Sequence, residues 1–104
     1  MKADTGQSVD QVETHWYVYL LNCADNTYYT GITTDPRRRL QEHNEDNAKG
    51  ARYTRARRPV TMVYFELCEN RSEAASREYT IRKLSRTHKD QLVASMQGQI
   101  PQNL

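Results

Sequence analysis

Residues 17–44 constrain the fold more than any other stretch. Two runs rich in aromatic and aliphatic side chains flank Asp25-Asn26, and Pro36 then opens a segment loaded with arginine. Residues 15–23 have strand propensity. Alternation puts Tyr17, Tyr19, Leu21 and Cys23 on one face and Trp16, Val18, Leu20 and Asn22 on the other. Both faces are partly apolar, which predicts a central strand covered on both sides. Residues 24–27 supply a turn, and residues 28–33 return as the second strand of a hairpin. Gly31 would weaken an ordinary strand. It marks a bulge, or a place where a ligand or another backbone comes close. Asp35 and Pro36 are an N-cap followed by proline at the first helical position, so a helix runs from there to about Asn44. Arg39 and His43 are four apart and share a face. Leu40 points to the core, with Arg37 and His43 on its flanks.

The rest of the chain completes a small domain. Residues 45–59 read as a long loop, and loops of that length in compact domains are more often functional than accidental. Met62, Tyr64 and Glu66 alternate with Val63, Phe65 and Leu67 in a third strand. Asn70 caps a second helix, with Glu73 completing a capping box. That helix extends to about Leu84. Ala74, Ala75, Ile81 and Leu84 form its apolar stripe, and Glu78 falls on the same stripe. A carboxylate there requires a partner: an arginine, a backbone donor or a metal. Thr87 and Asp90 resemble another capping box, opening a short helix with Leu92, Val93 and Met96 inward. The order strand, strand, helix, strand, helix, helix predicts an α+β domain, a three-stranded antiparallel sheet flanked by helices.

A chain of 104 residues holds one domain. It is expected over 15–96, between a flexible arm at 1–14 and a flexible tail at 97–104. The net charge is only +2, so composition announces no nucleic acid. The distribution says more: bases cluster between positions 37 and 58, an electrostatic footprint suited to phosphates or simply a solvated surface. Tyr53, among Arg52, Arg55, Arg57 and Arg58, fits the aromatic-among-bases pattern of single-strand binding, or an aromatic packed on the body. Cys23 and Cys68 read as small buried hydrophobes in a reducing cytosol. The polar start and the lack of a long apolar run predict a cytoplasmic protein with no membrane association.

Tyr17-Val18-Tyr19, Tyr29-Thr30-Gly31, Arg39 and the inward Glu78 together resemble the GIY-YIG nuclease superfamily. Tyr19 and Tyr29 stand ten residues apart, as do Tyr29 and Arg39. Tyr17 and Thr30 replace the Gly and Ile of the family's name, and neither position supplies a reacting group. The segments 50–54, 57–59 and 82–86 are similar to those of small stand-alone bacterial members, the YhbQ type. The resemblance implies a DNA endonuclease, possible roles in repair or recombination, and one divalent cation, Mg2+ or Mn2+, on Glu78. It further implies that Arg39 grips the phosphate, that Tyr29 or Tyr19 is the general base, and that a positive environment lowers the phenol's pKa. His43 would assist by bonding a tyrosine or the attacking water. Gly31 would admit the nucleic-acid backbone or the arginine helix. Arg37, Arg38, Lys49, Arg52, Tyr53, Arg55 and Arg57 would bind the substrate. Larger family members carry separate recognition domains. Their absence here suggests selection by DNA shape, a protein partner supplying specificity, or a binding module without catalysis.

Overall fold

The computed structural model describes residues 14–96 and 98–100. Residues 1–13 of the expected arm, and 97 and 101–104 of the expected tail, lie outside them. Three strands, β1 (Trp16–Asn22), β2 (Tyr28–Thr33) and β3 (Thr61–Cys68), form one antiparallel sheet in the order β2–β1–β3. The helices are α1 (Pro36–Glu45), α2 (Arg52–Arg55), α3 (Arg71–Arg82) and α4 (Arg86–Ser95). The strand β1 is central, as its two apolar faces predict.

Each face of β1 carries its own core. Val18 and Leu20 pack with Tyr64, Cys68, and Ala74 and Ile81 of α3, and Leu92 and Val93 of α4 close over them with Met96, the C-cap of that helix. Tyr19, Leu21 and Cys23 pack with Val60 and Met62, against Leu40 of α1 and Tyr53 of α2. Val18, Leu20 and Leu21 are completely buried. Burial of this kind stabilises by roughly 1.5–3 kcal/mol per large side chain. The register opposes Tyr19 to Gly31 and Leu21 to Tyr29, so these four residues share a face. A bulge in β3 shifts its pairing between Leu20 and Leu21.

The helix starts follow local chemistry. The Asp35 side chain accepts from the Arg38 N–H at 3.2 Å. Asn70 accepts from the Glu73 N–H at 2.8 Å, while the Glu73 carboxylate reaches back to Glu69 N–H rather than to the cap residue. The last helix differs from expectation. Its cap is Ser85, which accepts from His88 N–H, and not Thr87. Asp90 is engaged instead by Tyr28 Oη at 2.6 Å and Arg86 Nε at 3.0 Å, so it is not free to serve a capping box at Thr87.

The segment read as a long loop is ordered, and contains α2. Asn44 clamps it through paired bonds to the Val60 backbone, its Oδ1 accepting at 2.8 Å and its Nδ2 donating at 2.9 Å. Arg58 donates to the carbonyls of His43 and Asp46 and to Asn47 Oδ1. Gly50 lies so close to the end of α1 that a Cβ would meet the Asp46 carbonyl oxygen at 2.7 Å. These contacts hold α2 against α1, where a buried hydroxyl from α2 meets a buried imidazole.

Candidate active site

A strand tyrosine and a helix histidine meet in the core. Tyr19 Oη and His43 Nε2 are 2.7 Å apart, and His43 Nδ1 lies 2.8 Å from Thr54 Oγ1. The Thr54 hydroxyl also bonds the Ala51 carbonyl at 3.0 Å. His43 and Thr54 are wholly buried and Tyr19 is 1% exposed. Tyr29 packs edge-on against the His43 ring at 5.3 Å between centroids. The shared strand face aims both tyrosines toward α1, and the four-residue spacing brings Arg39 and His43 to meet them. The Arg39 guanidinium interacts with the Tyr19 oxygen, and its charge acts on both phenols. Glu42 Oε1 accepts from Arg39 Nη1 at 2.9 Å, and the Lys49 carbonyl accepts from the same nitrogen at 2.7 Å.

Glu78 approaches from the other side. The helix α3 covers the Val18 and Leu20 face, whereas Tyr19 and Tyr29 lie on the α1 face. Glu78 follows Ala74 by one turn, and its side chain is 21% exposed. Its charge acts on the Tyr29 phenol at β2, an edge strand of the sheet. The required partner is Arg82, whose Nε donates to Glu78 Oε2 at 2.9 Å.

Arg39, without a cation, does not supply the lowering expected of the site. Neither phenol is lowered. Burial outweighs Arg39 and pushes Tyr19 up to about 12, and burial also raises Tyr29, with Glu78 adding to it. His43 moves the opposite way, from 6.5 to about 4, because burial and the charges of Arg39 and Arg58 disfavour its cation more than Glu42 favours it. The imidazole is therefore neutral. An unfolded chain would protonate it near 6.5 and the folded protein only near 4. Stability from this group is complete above about pH 6.5 and is lost as pH falls toward about 4, to a total of about 3 kcal/mol. Urea unfolding followed between those limits should show the decline, and the His43 NMR signals should remain those of a neutral ring down to about pH 5.

Of the expected substrate-binding residues, some face solvent and others are bound into the protein. Arg37, Arg38, Lys49, Arg52 and Arg55 are exposed. Arg38 pairs with Glu42 at 3.5 Å, and Arg55 donates to the Asn47 and Gly50 carbonyls. Arg57 pairs with Asp25 at 2.9 Å and bonds the Tyr53 carbonyl, which ties it to the hairpin turn. Tyr53 is packed rather than presented. It stacks on Tyr29 at 5.9 Å, carries the Arg57 guanidinium 3.7 Å from its ring centre, and donates to Thr27 Oγ1. That corrects its expected role as a free stacking platform. The space over Gly31 holds the Tyr19 phenol, which a Cβ would meet 2.6 Å from Cζ. Sequence reasoning gave no role to Glu42 or Thr54. The three-residue spacing from Arg39 was a signal for Glu42. Thr54 had none, because its partner is eleven residues away.

The donor chemistry fits a hard cation. Among the described residues no three His, Cys, Asp or Glu side chains cluster as a metal cage. Glu78 of α3 offers one carboxylate near Tyr29, and magnesium binds through one or two carboxylates, waters and substrate phosphate.

Sheet order, paired phenols and a helix-borne arginine together describe a small nuclease-type domain. Residues 15–91 match the GIY-YIG catalytic domain, and the chain belongs to that family. Its relatives include a UPF0213 protein of Desulfotalea psychrophila, 61% identical over 80% of this chain and 76% of the relative. Another, from Halobacterium salinarum, is 51% identical over 73% of this chain and 96% of its own. The solution NMR structure of a UPF0213 protein from Bacillus halodurans shares the fold with a TM-score of 0.51 and 43% identity, covering 81% of this chain and 87% of that one. The solution NMR structure of a protein from E. faecalis gives a TM-score of 0.54 at 44% identity, covering 82% and 88%.

Proposed function

We propose that this protein is a metal-dependent endonuclease that hydrolyses phosphodiester bonds in DNA and selects by shape more than by sequence. The observation that carries the reading is a cluster on one face of the sheet: Tyr19 bonds His43, Tyr29 packs against the same ring, and Arg39 stands one helical turn before it, with the Glu78 charge acting on Tyr29. A phosphodiester needs a cation on its non-bridging oxygens, an acceptor for the water's proton and charge compensation for the departing oxygen. Arg39 meets the first need with a planar fork of donors. Tyr29 is the better placed general base, since Tyr19 is buried and its hydroxyl is taken by His43. Glu78 would hold the Mg2+ or Mn2+, which supplies Lewis acidity when bound. A neutral phenol is a poor base, and a cation held by Glu78 would bring Tyr29 down.

The exposed bases, Arg37, Arg38, Lys49, Arg52 and Arg55, suit phosphate contacts that carry no sequence information. Substrates with flaps, junctions or single strands match that surface, as in repair or recombination, and a protein partner could add specificity. The test is cleavage of branched and single-stranded DNA with magnesium, with chelator, and with metal restored. Glu78→Gln purified in parallel controls for contaminating nuclease. Cleavage by wild type alone that follows the metal supports the proposal. Salt-sensitive binding without cutting on every substrate would make the protein a binding module instead.

A further inference from the structure

The bond between Thr54 and the Ala51 carbonyl bears on the site. A threonine hydroxyl has one hydrogen. The Ala51 carbonyl at 3.0 Å can only accept, so a hydroxyl hydrogen directed to it leaves the oxygen to accept from His43 Nδ1 at 2.8 Å. His43 then carries its proton on Nδ1, which leaves Nε2 bare. The bare nitrogen accepts from Tyr19 Oη at 2.7 Å. With its hydrogen turned inward, the phenol oxygen presents lone pairs to Arg39, with which it interacts. Inward of Arg39 the bonds run one way: Tyr19 to His43, His43 to Thr54, Thr54 to a backbone carbonyl. The opposite tautomer would aim His43 Nε2–H and the Arg39 donors at the same oxygen and leave the phenol hydrogen without its acceptor at Nε2. Burial makes that arrangement costly.

We infer that Thr54 is a positioning residue: it selects the Nδ1–H tautomer of His43, and through Tyr19 it fixes the Arg39 guanidinium in its phosphate-binding orientation. The last step rests on the nuclease reading, whereas the tautomer does not. Positioning of this kind is read as a change in rate without a change in chemistry. The experiment is 15N NMR of the His43 ring at neutral pH in wild type, Thr54→Ser and Thr54→Val, with cleavage kinetics on the same samples. Wild type and Thr54→Ser should show protonated Nδ1 and unprotonated Nε2. Thr54→Val, close in shape but without the hydroxyl, should lose that tautomer and lower kcat/KM by about 10- to 100-fold, with Thr54→Ser recovering most of it. Protonated Nε2 in wild type would overturn the inference, as would Thr54→Val keeping the wild-type tautomer. If Thr54→Val fails to fold, the wild-type and Thr54→Ser spectra still decide. The expected spectra with no cleavage by any sample would refute the nuclease reading and leave the tautomer assignment intact.

Discussion

Arg39→Ala is expected to lower kcat/KM for DNA cleavage by about 10³-fold, the scale seen when a preorganised donor to a developing anion is removed. The geometry explains why so much should depend on one side chain. Arg39 is 22% exposed and held on two sides, by Glu42 and by the Lys49 carbonyl. A guanidinium fixed in this way gains more from a phosphate than a mobile surface base would, because its ordering is already done in the folded state. Its charge is also a favourable influence on the Tyr19 and Tyr29 phenolates, and removal would push both further from ionising. Arg39→Lys separates these contributions. It keeps the charge and loses the planar fork, so it should recover part of the activity, leaving a deficit of about 10- to 100-fold. Thermal melts of the two variants distinguish lost chemistry from lost structure. The bond to Lys49 contributes on the order of 1 kcal/mol, too little to unfold the domain. Wild-type rates in Arg39→Ala would remove this arginine from the reaction.

How much of this was legible in the sequence depended on the range of the interaction. The faces of β1, the hairpin, the Asp35 and Asn70 caps and the Arg39–His43 face rest on neighbours within a few residues, and period and capping chemistry expose them. The resemblance to GIY-YIG nucleases brought Tyr19, Tyr29, Arg39 and Glu78 forward together. What escaped depends on contacts between distant segments. The order within residues 45–59 comes from Asn44 and Arg58, which bond mostly backbone groups, and backbone groups leave no mark on sequence pattern. The upward shift of the tyrosines was missed because their burial depends on how α1 and α2 close over the sheet. Spacing showed the positive charge nearby and could not show that desolvation outweighs it. The three arginines at 55, 57 and 58 looked alike, yet Arg58 is structural, Arg57 is half-turned to Asp25, and Arg55 is exposed.

Gly31→Ala should cost about 3 kcal/mol in folding free energy and, under the nuclease reading, about 10²-fold in cleavage. The backbone there is ordinary strand, and what demands glycine is space. Tyr19 lies opposite Gly31 in the register, and its ring crosses directly over that position. An added methyl would fall 2.6 Å from Tyr19 Cζ and nearer still to its hydroxyl, so the ring must leave. It cannot leave cheaply, because its hydroxyl is bonded to His43 and its environment is closed. Displacement would break that bond and withdraw the Tyr19 oxygen from Arg39, so one methyl group should reach the guanidinium two contacts away. A double-mutant cycle isolates the cause. In a Tyr19→Leu background, where no phenol overlies position 31, Gly31→Ala should cost less than about 1 kcal/mol. An equal cost in both backgrounds would mean that strand propensity or another neighbour, not the phenol, is what holds glycine at this position.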